Sequence, residues 1–164
     1  MKPFAWSYSA LTRFESCPKQ YWHLNVEKDF KDVGSEFSAE GTLIHDALHK
    51  RVIKGQPLPI EMRHFETMAK RFAETPGEKK GEMKLALNRK MEPVDYFAHD
   101  VYLRVIIDLL VVRNDWALLV DWKTGKVKDD FTQMGLCAAV LSRWMPELKK
   151  IQTAYWLGEA QDIS

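Results

Sequence analysis

Cysteine is nearly absent from this 164-residue sequence, which has only Cys17 and Cys137. Two thiols exclude a multi-bridge disulfide framework and a four-cysteine metal cluster, and they fit a reducing cytosol. Long apolar runs are missing too. None approaches the roughly 20 residues a helix needs to cross a bilayer. The opening "MKPFAWSYSALTRF" breaks off before the apolar core of a signal peptide forms. The expectation is a soluble, cytoplasmic protein with no membrane partner. Neither charge dominates: 24 Lys and Arg stand against 23 Asp and Glu, a formal charge of +1, so no whole-molecule field argues for a nucleic-acid partner. Repeats and low-complexity tracts do not occur.

What is present is an ordinary globular composition, 46% hydrophobic and 29% charged, in a length that suits one domain with a real core, residues 1–164. Ser7 or Ser9 caps a first helix, "ALTRFESCPKQYWHL", which Pro18 kinks or divides, with Leu11, Phe14, Tyr21 and Trp22 turned inward. Trp6, Tyr21 and Trp22 are read as core rather than as base-stacking platforms. From Ser35 or Ser38 a second helix runs through "EGTLIHDALHKRVI", with Ile44, Ala47, Leu48 and Val52 at helical spacing, until Gly55-Gln56-Pro57 ends it. Pro59 opens a third helix, whose stripe includes Met62, Phe65, Ala69 and Phe72, and Thr75-Pro76-Gly77 closes it. Three strands follow, beginning with "GEMKLALN", then a helix "DDFTQMGLCAAVLSRWM" and a last strand "IQTAYWLG".

The stretch "LLVDWKTGK" poses the chemical question. Side chains alternate along a strand, so Asp121 and Lys123 share a face about 7 Å apart, with Trp122 on the other. A lone Asp-x-Lys is usually an ion pair on a solvated rim. The preceding "VYLRVIIDLLVVRNDWALLV" changes that, because it reads as two β-prone runs about a turn at Asn114-Asp115. A two-residue turn pairs Arg113 with Trp116 and sets Asp108 opposite Asp121, about 5 Å across. Strict alternation puts Ile106 and Leu110 on the Asp108 face, and Val105, Ile107, Leu109 and Val111 on the other. Two carboxylates that close repel, and a divalent cation between them is the simplest way to keep both ionised. A three-residue turn would shift this register by one.

These residues resemble the PD-(D/E)XK nuclease superfamily, and within it the RecB-like branch. The resemblance rests on "SYSALTRFESCPKQYW", on Gly41 and His45 as a Gly-x-x-x-His motif, on Asp108, on Asp121 and Lys123 in "DWKTGK", and on Gln133 in the following helix. It spans nearly the whole chain. It implies an α/β (α+β) fold with a restriction-endonuclease-like core, a central mixed four-stranded sheet flanked by helices. An N-terminal helical region, about 1–76, would precede a catalytic core at about 77–164. Ile107 stands where many members have proline, Asp121 where many have glutamate, and Cys137 where the helix motif usually has tyrosine. Some relatives bind an iron-sulphur cluster through the cysteine matching Cys17 and three cysteines beyond the last strand. None occurs there in this chain, so no cluster is expected.

The resemblance implies Mg²⁺ or Mn²⁺ held by His45, Asp108, Asp121 and the backbone carbonyl of Trp122, an oxygen-rich set suited to hard ions. It implies Lys123 as the catalytic cation, hydrolysis of DNA phosphodiester bonds to 5′-phosphate and 3′-hydroxyl products, and partners such as a helicase or recombination protein. Relatives are often exonucleases or DNA-end processors in recombination, repair or replication. Glu82, on the first strand, is either a further metal ligand or a partner for neighbouring lysines. Gln133 orients Lys123 or contacts the nucleic-acid backbone, against simple helix capping. Lys126 and Lys128 are candidate nucleic-acid contacts, as are Lys79, Lys80, Lys84, Arg89 and Lys90, against a solvated face.

Two rivals stand beside this reading. "HDALH" places His45 and His49 one turn apart as in zinc hydrolases, but Asp46 replaces the glutamate base and no third ligand is evident. The other rival is a non-catalytic nucleic-acid-binding or structural relative, as arises when a fold is reused. Against it, Asp108, Asp121 and Lys123 are all present.

Overall fold

A two-residue turn at Asn114 and Asp115 organises the sheet. Asn114 takes the left-handed conformation (φ 55°), one that its short amide side chain tolerates, and Arg113 then pairs with Trp116. The computed structural model describes residues 5–30, 36–123 and 131–157. It contains strands β1 (Glu78–Asn88), β2 (Pro93–Val94), β3 (Val101–Arg113), β4 (Trp116–Lys123) and β5 (Lys150–Leu157). They form one mixed sheet in the order β2-β1-β3-β4-β5, antiparallel except for the β4–β5 pair. Five strands replace the expected four. The extra one, β2, is a two-residue edge pairing, set by the Asn88 side chain folding its own turn through the backbone N–H groups of Lys90 and Glu92.

The helices cover both faces. α1 (Tyr8–Ser16) is capped by Ser7, whose hydroxyl accepts from the Ala10 N–H. Pro18 divides the predicted first helix: Cys17 ends α1 and its sulfur accepts from Gln20 N–H to cap α2 (Pro18–Tyr21), which runs into a π-helical turn, Trp22–Glu27. Trp6 stacks on Tyr21 at 5.4 Å, and Tyr21 is buried as expected, but Leu11, Phe14 and Trp22 are exposed, Trp22 by half because the π turn carries it off the inner face. α3 (Glu36–Lys54) ends at Gly55, whose φ of 68° is the left-handed stop glycine supplies without strain. A 3₁₀ turn (Ile60–Phe65) leads into α4 (Glu66–Glu74).

α3 and α4 pack on one side, where Leu48, Val52, Phe65 and Ala69 meet Leu109, Val111, Val120 and Trp122. α5 (Thr132–Trp144) covers the other, with Cys137, Val140 and Leu141 against Leu85, Ile107, Leu110 and Leu119. Val140 and Leu141 are fully buried, and each such side chain contributes roughly 1.5–3 kcal/mol of transfer free energy. Gly81 lets α3 approach β1, since a Cβ there would overlap the His49 ring. Among the described residues no helix is long and apolar enough to cross a membrane.

The strict alternation expected of β3 fails at one point. Leu109 and Val111 face α3, but Val105 and Ile107 lie with Leu110 on the α5 side, so the faces invert at Asp108. β1 inverts with it: Gly81 lies under His49 of α3, whereas Met83 packs toward α5. The residue between them, Glu82, has φ 50°. Because both strands turn over together, the pairing stays in register from Gly81↔Leu109 to Met83↔Ile107. Ile106 is left 45% exposed in mid-strand as a result.

Candidate active site

The inversion at Asp108 coincides with the end of the β3–β4 ladder, whose last pair is Leu109↔Val120. The next pair by the same count is Asp108 with Asp121, the register the two-residue turn predicts. Here the strands part, and the Asp108 carboxylate takes the place of a ladder carbonyl, accepting from the Trp122 N–H at 2.9 Å. β4 stays paired to β5 as far as Lys123. The gap between the strands is therefore held open by the fold and floored by a carboxylate.

Three elements reach into it. α3 brings His45, whose Nδ1 lies 3.5 Å from Asp108 Oδ2. β4 brings Asp121 and Lys123 on its α5 face, and α5 brings Gln133. Gln133 donates through Nε2 to Asp121 Oδ1 at 3.0 Å and accepts at Oε1 from Lys123 Nζ at 2.8 Å. Gln133 thus bonds Lys123 directly, and it does not cap α5, which is preceded by Phe131 and has no side-chain cap. Cys137, one turn further on, is buried beneath the site, and burial with the nearby Asp121 and Asp108 pushes its thiol up to about 11. It is a neutral packing group there.

Asp121 is the one buried charged residue among those described, 9% exposed. Burial raises its pKa, and Asp108 adds to the rise; Lys123 and His45 oppose it. Lys123 Nζ pairs with the buried Asp121 Oδ2 at 2.8 Å. Asp108 holds the His45 imidazole above its ordinary range, chiefly through their direct contact. Burial works against this, and the Trp122 backbone and Asp121 work with it. The backbone of Trp122 therefore borders the site as well.

No three His, Cys, Asp or Glu side chains among the described residues gather closely enough to cage an ion as they stand. Asp108 is occupied by Trp122 N–H, and Asp121 by Gln133 and Lys123. The donor set nevertheless fits a hard divalent cation, with two carboxylates, an imidazole and a backbone carbonyl. The burial of Asp121 is the observation that favours it, since a carboxylate held beside Asp108 and almost out of water is costly to ionise and a cation reduces that cost.

The other sequence candidates fall outside this cluster. Glu82 sits at the kink opposite Asp108 but is exposed, and no contact joins it to His45, Asp108 or Asp121. His49 lies against Gly81, so the His45–His49 pair of the zinc-hydrolase reading does not converge. Lys126 and Lys128 lie outside the described residues. Sequence reasoning missed Arg104, which lines a groove running from Gln133 along β3; its only sequence signal was one cation in an otherwise β-prone run.

A family model described as the PD-(D/E)XK nuclease superfamily matches residues 5–162. No curated protein matches the chain.

Proposed function

The chain belongs to the PD-(D/E)XK nuclease superfamily, and from that premise we propose that it is a metal-dependent deoxyribonuclease. In this reading it is a single-domain enzyme of the RecB-like branch, an exonuclease or DNA-end processor acting in the cytoplasm beside a helicase or recombination protein. Nucleases of the superfamily generally use Mg²⁺ or Mn²⁺. The observation that carries the reading is the convergence of Asp108, Asp121 and Lys123 at the point where β3 and β4 part, with Gln133 bonded to both Asp121 and Lys123.

His45, Asp108, Asp121 and the Trp122 carbonyl are the residues that would hold the ion. When bound, it supplies Lewis-acid charge to the scissile phosphate and lowers the pKa of water. The chain's own contribution is position and charge. Gln133 fixes the Lys123 ammonium beside Asp121, so that it orients the attacking water and offsets the negative charge that develops on the phosphoryl oxygens. The Asp108 bond to Trp122 N–H holds the strand gap open, keeping both carboxylates on the same opening.

End-labelled single-stranded, double-stranded and closed circular DNA, each incubated with Mg²⁺, Mn²⁺ or a chelator, tests the reading. Metal-dependent shortening of linear DNA that spares circles is expected. Cutting of circles would replace exonuclease with endonuclease, and no cleavage with either metal would contradict the nuclease assignment.

A further inference from the structure

Beyond Asp108, β3 loses β4 as a neighbour, and the chain's own N-terminal segment covers only part of the edge this exposes. Trp6 bridges Leu103 in parallel, donating from its N–H to the Tyr102 carbonyl at 2.7 Å and accepting from Arg104 N–H at 2.8 Å. Between that bridge and Asp108, no described strand pairs with this edge of Val105, Ile106 and Ile107. A groove of about 260 Å³ lies there, opening at one end on Gln133 and bounded at the other by Ser7, Ser9, Tyr96 and Arg104.

Among the described residues Arg104 is the one charged side chain lining this groove. Its Nε is buried without a hydrogen-bond partner, and no described carboxylate pairs with it. The guanidinium lies 5.2 Å from the Tyr96 ring centroid and 6.0 Å from that of Phe97, and Lys84 Nζ approaches the same rings at 5.9 and 6.0 Å. Asp95, next to these aromatics, spends an oxygen on its own turn by accepting from Phe97 N–H at 2.8 Å. Phe97 itself is 75% exposed. Cations alternating with aromatic faces, one of them open to solvent, beside a groove that leads to a hydrolytic site, form a surface suited to an unpaired polynucleotide. Phosphates take the cations and a base takes the ring.

We propose that this groove is the track of a single nucleic-acid strand entering the site, with Arg104 on a backbone phosphate of that strand beyond the scissile one's neighbour and Phe97 stacking a base. The proposal rests on the nuclease reading and deepens it. Single strands are specified because a duplex keeps its bases stacked on one another and offers no free face to Phe97.

The test is binding of fluorescent oligothymidylate and of a blunt duplex in metal-free buffer, over a range of salt, for the wild type, Arg104→Met and Phe97→Ala. Each variant is expected to bind the single strand about tenfold more weakly. The salt slope should flatten by roughly 0.7 for Arg104→Met alone, and duplex binding should change little. Phe97 is exposed, so its replacement leaves the fold intact even if Arg104→Met does not. Unchanged single-strand affinity in Phe97→Ala overturns the proposal, as does an equal loss for duplex. Cleavage assays with Mn²⁺ separate the two readings. A wild type that never cleaves while the variants still lose affinity upholds the track and sinks the nuclease. A wild type that cleaves while the variants bind normally sinks only the track.

Discussion

At Asp121 a carboxylate is held almost out of water beside Asp108, and its pKa is raised chiefly by that burial. A raised carboxyl pKa means that the ionised form costs the fold stability above the folded pKa, and that this cost vanishes once the pH falls below the unfolded value of 3.8. Asp121→Asn, without metal, is therefore expected to melt at least as high as wild type at neutral pH, the difference closing as the pH is lowered. Its metal-dependent cleavage should fall by a factor of about 100 or more, as should that of Asp108→Asn. Retained activity in either variant removes the two-carboxylate site. His45 makes a separate prediction: His45→Ala should weaken Mn²⁺ binding by about tenfold in calorimetry, in the range lost when a metal site's surroundings are disturbed. Unchanged affinity would take His45 out of the ligand set. Asp108 and Asp121 were legible in the sequence because a two-residue turn fixes register by counting, whereas His45 was reached only through the Gly41-x-x-x-His45 resemblance. Trp22 was misread because the π turn that rotates it outward has no compositional signature.

Among elements, the β1–β3 pair shows where pattern reading stops. Met83, Leu85 and Leu87 of β1 alternate and β3 is apolar on both faces, so the sequence implies one constant pair of faces. The structure turns both strands over at Glu82 and Asp108. Glutamate is a poor marker for a left-handed residue, so nothing at position 82 announces the inversion. β2 escaped notice for a related reason, since two residues are too few for any period to register. The inversion also explains why Gly81 faces α3 and must stay small. Gly81→Ala should press on the His49 ring and destabilise the protein by about 1–3 kcal/mol in urea unfolding. The double variant with His49→Ala should recover part of the loss. A neutral Gly81→Ala would mean that α3, which carries His45, is not held against β1 as described.

For the whole molecule, a near-neutral net charge gave no hint of a nucleic-acid substrate, because the relevant cations are few and local: Lys123 in the site, Arg104 in the groove, and Lys84 over the Tyr96 and Phe97 rings. The family match over residues 5–162 supplies the chemistry that composition could not. The central claim is that Lys123 serves the reaction and not merely the binding of DNA. The most direct measurement is the single-turnover cleavage rate of labelled linear DNA by Lys123→Ala in Mg²⁺ and Mn²⁺, paired with DNA affinity in metal-free buffer. The account predicts a cleavage barrier raised by several kcal/mol, about a thousandfold or more lost in rate, with DNA and metal affinity within a few-fold of wild type. Cleavage near the wild-type rate, or a loss confined to affinity, would contradict it and leave "DWKTGK" a binding or structural element.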